Sequence, residues 1–107
     1  MEKIVLGLIE KIKINNFEVL AKIDTGADNN SIDINLANKL KLGPIVKMSQ
    51  IKSAHGKTTR PVVEAKLKIK GKEFKALFNI IKRTHMKYQV LIGRKILKKG
   101  FLIDPLK

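Results

Sequence analysis

Four short stretches of this chain alternate apolar and polar residues with a period of two. Successive side chains of a β-strand point to opposite faces, so this period predicts strands with one buried face. Asn15-Asn16 and Gly71-Lys72 separate neighbouring stretches and are typical of tight hairpin turns. Leu77 and Ile80 are expected to give the last stretch a second buried face. The apolar positions of the four stretches are Ile12 and Ile14; Phe17, Val19, Ala21 and Ile23; Val63, Ala65, Leu67 and Ile69; Phe74, Ala76 and Phe78.

Two short helices are expected among the strands. The first covers residues 33–42, with Asp33 as its N-cap and Gly43-Pro44 ending it. The second is a helical turn within residues 94–99. Short strands with turns at this spacing predict a small barrel or sandwich. The remaining expected features are strands at 45–50, 88–92 and 101–103, and a long hairpin with an exposed tip at 52–60.

The composition predicts one globular domain covering residues 1–107, because 44% of the residues are hydrophobic. Aromatic residues make up only 5%, so the core must consist of Ile, Leu and Val. The chain has no cysteine, which excludes disulfides and thiolate metal sites. The apolar run from Ile4 to Ile9 is too short for a signal peptide or a membrane span. A cytoplasmic protein without membrane contact is therefore expected.

The formal net charge is +14, from 23 Lys and Arg against 9 Asp and Glu. Such a charge attracts nucleic acid, acidic proteins or other anionic surfaces. Nucleic-acid sites usually add arginine forks and aromatic platforms, and the chain has only Arg60, Arg83 and Arg94. A solvated lysine-rich surface is therefore the favoured interpretation, and nucleic-acid binding remains an alternative.

The segment Asp24-Thr25-Gly26 follows an apolar strand and is the main candidate for chemistry. The strand would fix the position of the Asp24 carboxylate, and Gly26 would let the backbone turn close to that carboxylate. The Gly26 amide and the Thr25 hydroxyl could then brace the loop without adding charge. The alternative is a simple turn in which the aspartate accepts backbone amides.

If Asp24 takes part in peptide hydrolysis by general acid–base catalysis, a second carboxylate is needed beside it. Two carboxylates about 3 Å apart share a proton, so that one acts as base and the other as acid. The chain contains a single Asp-Thr-Gly, since Asp28, Asp33 and Asp104 lack the following Thr-Gly. The second carboxylate must therefore come from a second copy of the chain, related by a twofold axis.

The run Val90-Leu91-Ile92-Gly93-Arg94, together with residues 23–28 and the spacing between them, resembles the retropepsin-like aspartic peptidases, the class of retroviral proteases. The resemblance implies an all-β, small closed barrel that forms a homodimer. It also implies that Asp24, Thr25 and Gly26 are catalytic and that Ala27 and Asp28 contact the substrate backbone. Gly93 would pack beside the active-site loop, and Arg94 would support it through an ion pair with Asp28. The alternative for Arg94 is a solvent-exposed side chain.

Residues 50–60 occupy the position of the retropepsin flap, a hairpin that closes over the substrate. The resemblance implies that Ala54, His55 and Gly56 contact substrate at its tip. Closure of such a lid excludes water and holds the peptide against the carboxylates. For His55, an exposed loop side chain is the favoured alternative.

The C-terminal half also resembles a microbial retropepsin-like family that carries the label "ATP-dependent zinc protease", and this resemblance covers about residues 9–107. The label does not fit the residues. The two histidines are distant from each other, no His-Glu-x-x-His occurs, and no phosphate-binding Gly-rich loop is present, so no cofactor or metal is expected. The association of that family with ribosomal-protein glutamate ligases suggests an acidic or glutamate-rich peptide substrate. The motifs that carry the resemblance are Arg60-Pro61-Val62-Val63, Met86-Lys87-Tyr88, Leu91-Ile92-Gly93-Arg94 and Phe101-Leu102-Ile103-Asp104-Pro105.

Two functional hypotheses follow. The first is a homodimeric aspartic endopeptidase that activates water through a dyad of two Asp24 carboxylates. The second is a catalytically silent dimeric module that binds acidic peptides or RNA, which the net charge of +14 would favour.

Overall fold

The computed structural model describes residues 3–54 and 56–107, which form nine strands and two short helices. Short strands dominate these residues, as the period-two alternation predicts. In chain order the elements are β1 (Ile4–Leu6), β2 (Ile9–Ile14), β3 (Phe17–Ile23), β4 (Asn30–Asp33), α1 (Ile34–Lys39), β5 (Ile45–Ser53), β6 (Gly56–Ile69), β7 (Lys72–Ile81), β8 (Val90–Ile92), α2 (Arg94–Leu97) and β9 (Phe101–Ile103).

Six of the strands close into a barrel. Their order is β2, β3, β8, β4, β7 and β6, and β6 returns to β2 through the pairs Lys13–Lys68 and Ile14–Leu67. β5 pairs with β6 outside this closed circuit, while β1 and β9 form a separate parallel pair. The predicted small closed barrel with two short helical segments is therefore confirmed.

The inward-facing residues of the alternating stretches form the core of the barrel. Ile12 and Ile14 on β2 are 1% and 0% exposed, and Leu67 on β6 is fully buried. Burying such an aliphatic side chain completely stabilises the fold by about 1.5–3 kcal/mol. Phe74 and Phe101 add an edge-to-face contact with ring centroids 6.0 Å apart. The core therefore rests on aliphatic residues, with few aromatic contacts.

Two tight turns connect the main hairpins. Asn15 and Asn16 have φ angles of 47° and 73°, as expected for the predicted turn between β2 and β3. The turn between β6 and β7 is formed by Lys70 and Gly71, with φ angles of 50° and 83°. The prediction of a Gly71-Lys72 turn is therefore wrong by one residue, because Lys72 already begins β7.

Both helices are shorter than expected. Asp33 is the N-cap of α1, as predicted, and its carboxylate accepts a hydrogen bond from the Asn35 backbone N–H at 3.1 Å. The helix ends at Lys39 rather than Leu42, because Lys41 has a φ of 55°, which interrupts the helical backbone. α2 likewise covers only the first part of its predicted turn. No helix among the described residues is long and apolar enough to cross a membrane.

Two strands have no counterpart in the sequence analysis. β1 has only three residues, too few to show a period. β4 consists of Asn30, Ser31, Ile32 and Asp33, which are all buried although three of them are polar. A buried polar strand gives no alternation, because tertiary hydrogen bonds rather than apolar burial fix its position.

Several predicted details are corrected by the structure. Phe17 begins β3 and is 53% exposed, and Leu77 on β7 is 41% exposed rather than buried. The strand expected at 45–50 extends to Ser53, and β6 begins at Gly56, so the hairpin tip is shorter than residues 52–60. The strand expected at 88–92 begins only at Val90.

Candidate active site

The Asp24 carboxylate is held where β3 ends. β3 pairs in parallel with β8, in the register Ile23–Ile92, and the next amide, that of Asp24, donates to the Ile92 carbonyl at 2.9 Å. The Gly26 amide donates to Asp24 Oδ1 at 2.8 Å, and the Ala27 amide donates to the Asp24 carbonyl at 3.3 Å. These bonds fix a half-buried carboxylate at the mouth of a tight loop.

Gly93 allows the end of β8 to lie directly against this loop. The Arg94 amide donates to the Ala27 carbonyl at 2.8 Å, and the Lys95 amide donates to the Asp28 carbonyl at 3.1 Å. A Cβ at Gly93 would lie 2.5 Å from the carbonyl oxygen of Asn29 and 2.8 Å from that of Ala27. Both atoms are backbone, so only a glycine fits between the two segments.

Arg94 connects the start of α2 to the same loop. Its Nε donates to Asp28 Oδ1 at 3.0 Å, its Nη2 also bonds Asp28 Oδ1, and its Nη1 donates to the Thr25 carbonyl at 3.3 Å. The hydrogen bond and charge of Arg94 lower the pKa of Asp28. The expected Arg94–Asp28 ion pair is thus present, although both side chains are substantially exposed.

Asn30 is a buried residue of the site that sequence reasoning missed. Its Oδ1 accepts from the Gly93 amide at 3.0 Å, and its Nδ2 donates to the Leu77 carbonyl at 3.1 Å. The side chain therefore links the end of β8 to β7 behind the Asp24 loop. Its position in a polar segment gave no signal, because a buried asparagine looks like a turn residue in the sequence.

Asp33 and Arg83 form a second buried polar group that was missed, next to the Asp24 loop. Asp33 Oδ1 accepts from the Arg83 amide at 2.7 Å and from the Thr84 hydroxyl at 3.1 Å. Burial opposes ionisation of Asp33, but these hydrogen bonds and that from the Asn35 amide lower its pKa overall.

The Arg83 guanidinium is buried and its Nε donates to the Tyr88 carbonyl at 3.1 Å. Burial lowers the pKa of Arg83, while the carboxylates of Asp24 and Asp33 oppose that change. Arg83 therefore lies close enough to interact with the charge of Asp24. The only sequence signal was its rarity, since it is one of three arginines in the chain.

The predicted flap corresponds to the hairpin of β5 and β6. Pairing continues to Ser53–Gly56 at its end, and Gly56 has a φ of 112°. Ala54 is exposed in the turn, on a different segment from the Asp24 loop. His55 lies outside the described residues, so its predicted contact with substrate stays a prediction.

In ranges 3–54 and 56–107, no three or more His, Cys, Asp or Glu side chains lie together as a possible metal site. The groups that bond the Asp24 loop are instead backbone amides and carbonyls and the Arg94 guanidinium. They do not match the ligand set that a zinc protease would need.

The model of the RimB-like family, described as "Retropepsin-like aspartic endopeptidase RimB", matches residues 31–107. This chain belongs to the RimB-like family. The matched segment contains Gly93 and Arg94 and begins after Asp24-Thr25-Gly26. Membership of the family therefore supports aspartic-peptidase chemistry, while the assignment of Asp24 depends on the motif and on its geometry.

Solved structures share the fold of this RimB-like chain. Protein Lpg0085 of Legionella pneumophila, of unknown function, has a TM-score of 0.68 at 22% identity, with 97% of this chain and 95% of that chain covered. EIAV protease, solved with the inhibitor HBY-793, has a TM-score of 0.70 at 23% identity, with 84% of each chain covered. Simian foamy virus (mac) protease has a TM-score of 0.66 at 17% identity, covering 84% of this chain and 91% of that chain. No curated protein matches the sequence. The barrel is thus of the retroviral protease type.

Proposed function

We propose that this RimB-like chain is an aspartic endopeptidase that is active as a homodimer. One observation carries the proposal: the Asp24 carboxylate is fixed at the end of β3 by the Gly26 amide at 2.8 Å, in a loop pinned to β8. In the proposed homodimer this carboxylate faces the Asp24 carboxylate of the second subunit. The two Asp24 carboxylates would then share one proton.

In this mechanism the ionised carboxylate of the dyad takes a proton from water, which attacks the scissile carbonyl. The protonated carboxyl of the other subunit donates to the carbonyl oxygen, and the resulting intermediate collapses as the amine is protonated. The two groups titrate as a pair rather than as separate residues. The second copy is essential because the chain contains only one Asp-Thr-Gly.

The neighbouring residues take supporting roles in the proposal. Thr25 and Gly26 brace the dyad, while Ala27 and Asp28 contact the substrate main chain. Gly93 and Arg94 hold the loop in place through the contacts described above. The β5–β6 hairpin acts as the flap, with Ala54, His55 and Gly56 at its tip over the bound peptide.

The substrate is proposed to be an acidic or glutamate-rich peptide. The net charge of +14 attracts such a chain and raises its local concentration. Three further points stay predictions. They are the assignment to the microbial family labelled "ATP-dependent zinc protease", the cytoplasmic location, and a single domain over residues 1–107. No step of the proposed mechanism uses zinc or ATP.

The substitution Asp24→Asn tests the proposal. It keeps the size of the side chain but removes the shared proton, so cleavage of an accepted peptide should fall by about 10²–10⁴-fold. The matched control is Asp104→Asn, which changes an exposed aspartate whose carboxylate accepts a hydrogen bond from the nearby Leu106 amide. Undiminished cleavage by the Asp24→Asn protein would disprove the assignment.

The alternative of a silent binding module is favoured only by the charge. It predicts RNA or acidic-peptide binding with a steep salt dependence and no role for Asp24. A salt titration of RNA binding by the wild-type and Asp24→Asn proteins, combined with the cleavage assay, separates the two functions.

A further inference from the structure

A cleft of about 230 Å³ lies on the outer face of the barrel, between β5, β7 and the α2 region. Four lysines line this cleft: Lys47 from β5, Lys75 from β7, Lys95 from α2, and Lys99 just after α2. We refer to it as the four-lysine cleft. It does not include Asp24, Thr25 or Gly26.

Within residues 3–54 and 56–107, none of these four ammonium groups is paired with a carboxylate. Lys75 is opposite Lys66 of β6, which lies outside the cleft together with Glu64 and Glu73. The ion pairs of these ranges are Lys11–Glu18, Lys70–Glu10 and Arg94–Asp28.

The other groups of the four-lysine cleft indicate which anion it suits. Asn29 and Ser49 add neutral hydrogen-bonding groups, whereas none of the described residues that line the cleft is aromatic or an arginine. Nucleic-acid sites usually use both. Cavities for whole small-molecule ligands are commonly about 300–1,000 Å³. A volume of about 230 Å³ therefore fits carboxylate side chains of an extended chain better than a nucleotide.

The cleft adjoins the candidate active site from behind. Asn29 directly follows the Asp24–Asp28 loop, and the Lys95 amide donates to the Asp28 carbonyl at 3.1 Å. Lys47 and Ser49 lie on β5, the strand that leads to the hairpin tip. Residues next to the Asp24–Asp28 loop and residues of the flap hairpin therefore both border this cleft.

We infer that the four-lysine cleft is an exosite for an acidic peptide segment. Glutamate or aspartate side chains remote from the scissile bond place their carboxylates among Lys47, Lys75, Lys95 and Lys99. The exosite raises substrate affinity without taking part in bond cleavage. The expected effect of the exosite on cleavage kinetics rests on the proposed peptidase function. The binding of an acidic peptide to the exosite does not.

Binding is measured with a fluorescent oligoglutamate peptide, and with oligoglutamine of equal length as the neutral probe. The Asp24→Asn protein is used so that cleavage does not consume the probe. The test variant adds Lys75→Gln and Lys99→Gln. The matched control adds Lys13→Gln and Lys68→Gln, which remove the same charge from two exposed, directly opposed lysines outside the cleft.

The test variant should bind oligoglutamate at least about fivefold more weakly, while the control changes less than about twofold. In the background with Asp24 intact, KM for an acid-extended peptide should rise with kcat unchanged. Equal losses in both double variants, absence of oligoglutamate binding, or tighter binding of an RNA oligonucleotide with the same lysine dependence would overturn the exosite. Lysine-dependent peptide binding by a protein that never cleaves would keep the exosite and refute the peptidase proposal.

Discussion

Arg94 and Asp28 are 66 residues apart in the sequence, and their side chains form an ion pair at the edge of the candidate active site. The same guanidinium reaches the Thr25 carbonyl, so one side chain holds two points of the loop that carries Asp24. Both charged groups are exposed, and exposed pairs contribute little to global stability. The contact is therefore expected to matter more for the position of the loop than for the stability of the fold.

Substitution of Arg94 by alanine should therefore separate activity from stability. Loss of the bonds to Asp28 and Thr25 frees the loop, and misplacement of a reacting group by about 1 Å costs on the order of 100-fold in rate. We expect kcat/KM to fall by about 10- to 100-fold with little change in the melting temperature. The control is Lys98→Ala, which removes a cation that also influences Asp28 but forms no hydrogen bond with it in the structure. Equal activity losses in both variants would contradict the positioning role.

Gly93→Ala should damage both stability and activity. The new Cβ would lie 2.5 Å from the Asn29 carbonyl oxygen, and backbone cannot move away cheaply. Forced overpacking of this kind costs about 1–3 kcal/mol. Denaturant unfolding and a cleavage assay measure the two effects.

The matched control for Gly93 is Gly71→Ala in the β6–β7 turn. Gly71 has a φ of 83° and open space around its Cβ position, so alanine there costs stability through backbone strain, about 1 kcal/mol. The folded Gly71→Ala protein should keep its activity. If Gly93→Ala kept full activity as well, the close contact between β8 and the loop would be irrelevant to function.

Asp33 should make the stability of the fold depend on pH in the acid range. Its pKa in the folded state is lowered below the unfolded value of about 3.9. The stabilisation is therefore complete above the unfolded pKa and is lost as the pH falls through the folded pKa. Asp33→Asn should reduce the free energy of unfolding by about 1–3 kcal/mol at pH 7 and flatten this acid limb.

Urea unfolding at a series of pH values tests the role of Asp33. Asp104→Asn serves as the control, because the Asp104 side chain is exposed and its carboxylate bonds a local amide. An unchanged acid limb in the Asp33→Asn protein would show that the buried network does not depend on the charge.

Gly56→Ala tests the proposed flap. The φ of 112° at Gly56 is a conformation that residues with a Cβ rarely adopt, and such strain costs about 1–3 kcal/mol. If this strain is imposed on the closed hairpin, the population of closed hairpin falls by roughly 5- to 150-fold. We expect cleavage to slow within that range, while the free energy of unfolding falls by no more than the same strain of about 1–3 kcal/mol, because the barrel closes without β5. Lys57→Ala, at the next exposed position, should leave both unchanged.

The sequence predicted those parts of the fold in which burial follows a simple period. Ile12 and Ile14 are buried as expected, and Asn15 and Asn16 form the expected turn. Leu77 was wrongly predicted to be buried. It precedes the buried Phe78 and lies on the outer face of the strand, which lines a cleft. A single sequence does not show which face of a strand will meet another element.

The residues of the candidate site also divide into those that the sequence predicted and those that it did not. Asp24 and Arg94 were found because they belong to recognisable local motifs. The roles of Asn30 and Arg83, and the bonds of Asp33 beyond its predicted N-cap, were not found, because they involve partners that are remote in the sequence. Their pairing is set by the order of β4, β7 and β8 in the barrel, which no local pattern encodes.

The central claim is that catalysis needs Asp24 from two subunits, and subunit mixing tests it most directly. Wild-type protein is mixed with an equal amount of Asp24→Asn protein, allowed to exchange subunits, and assayed for peptide cleavage. Random pairing leaves about one quarter of the dimers with two wild-type subunits. A shared dyad predicts that activity falls to about one quarter of that of wild-type protein at the same total concentration. Activity that remains at about one half, in proportion to the wild-type chains alone, would show that each chain works independently and would contradict the shared dyad.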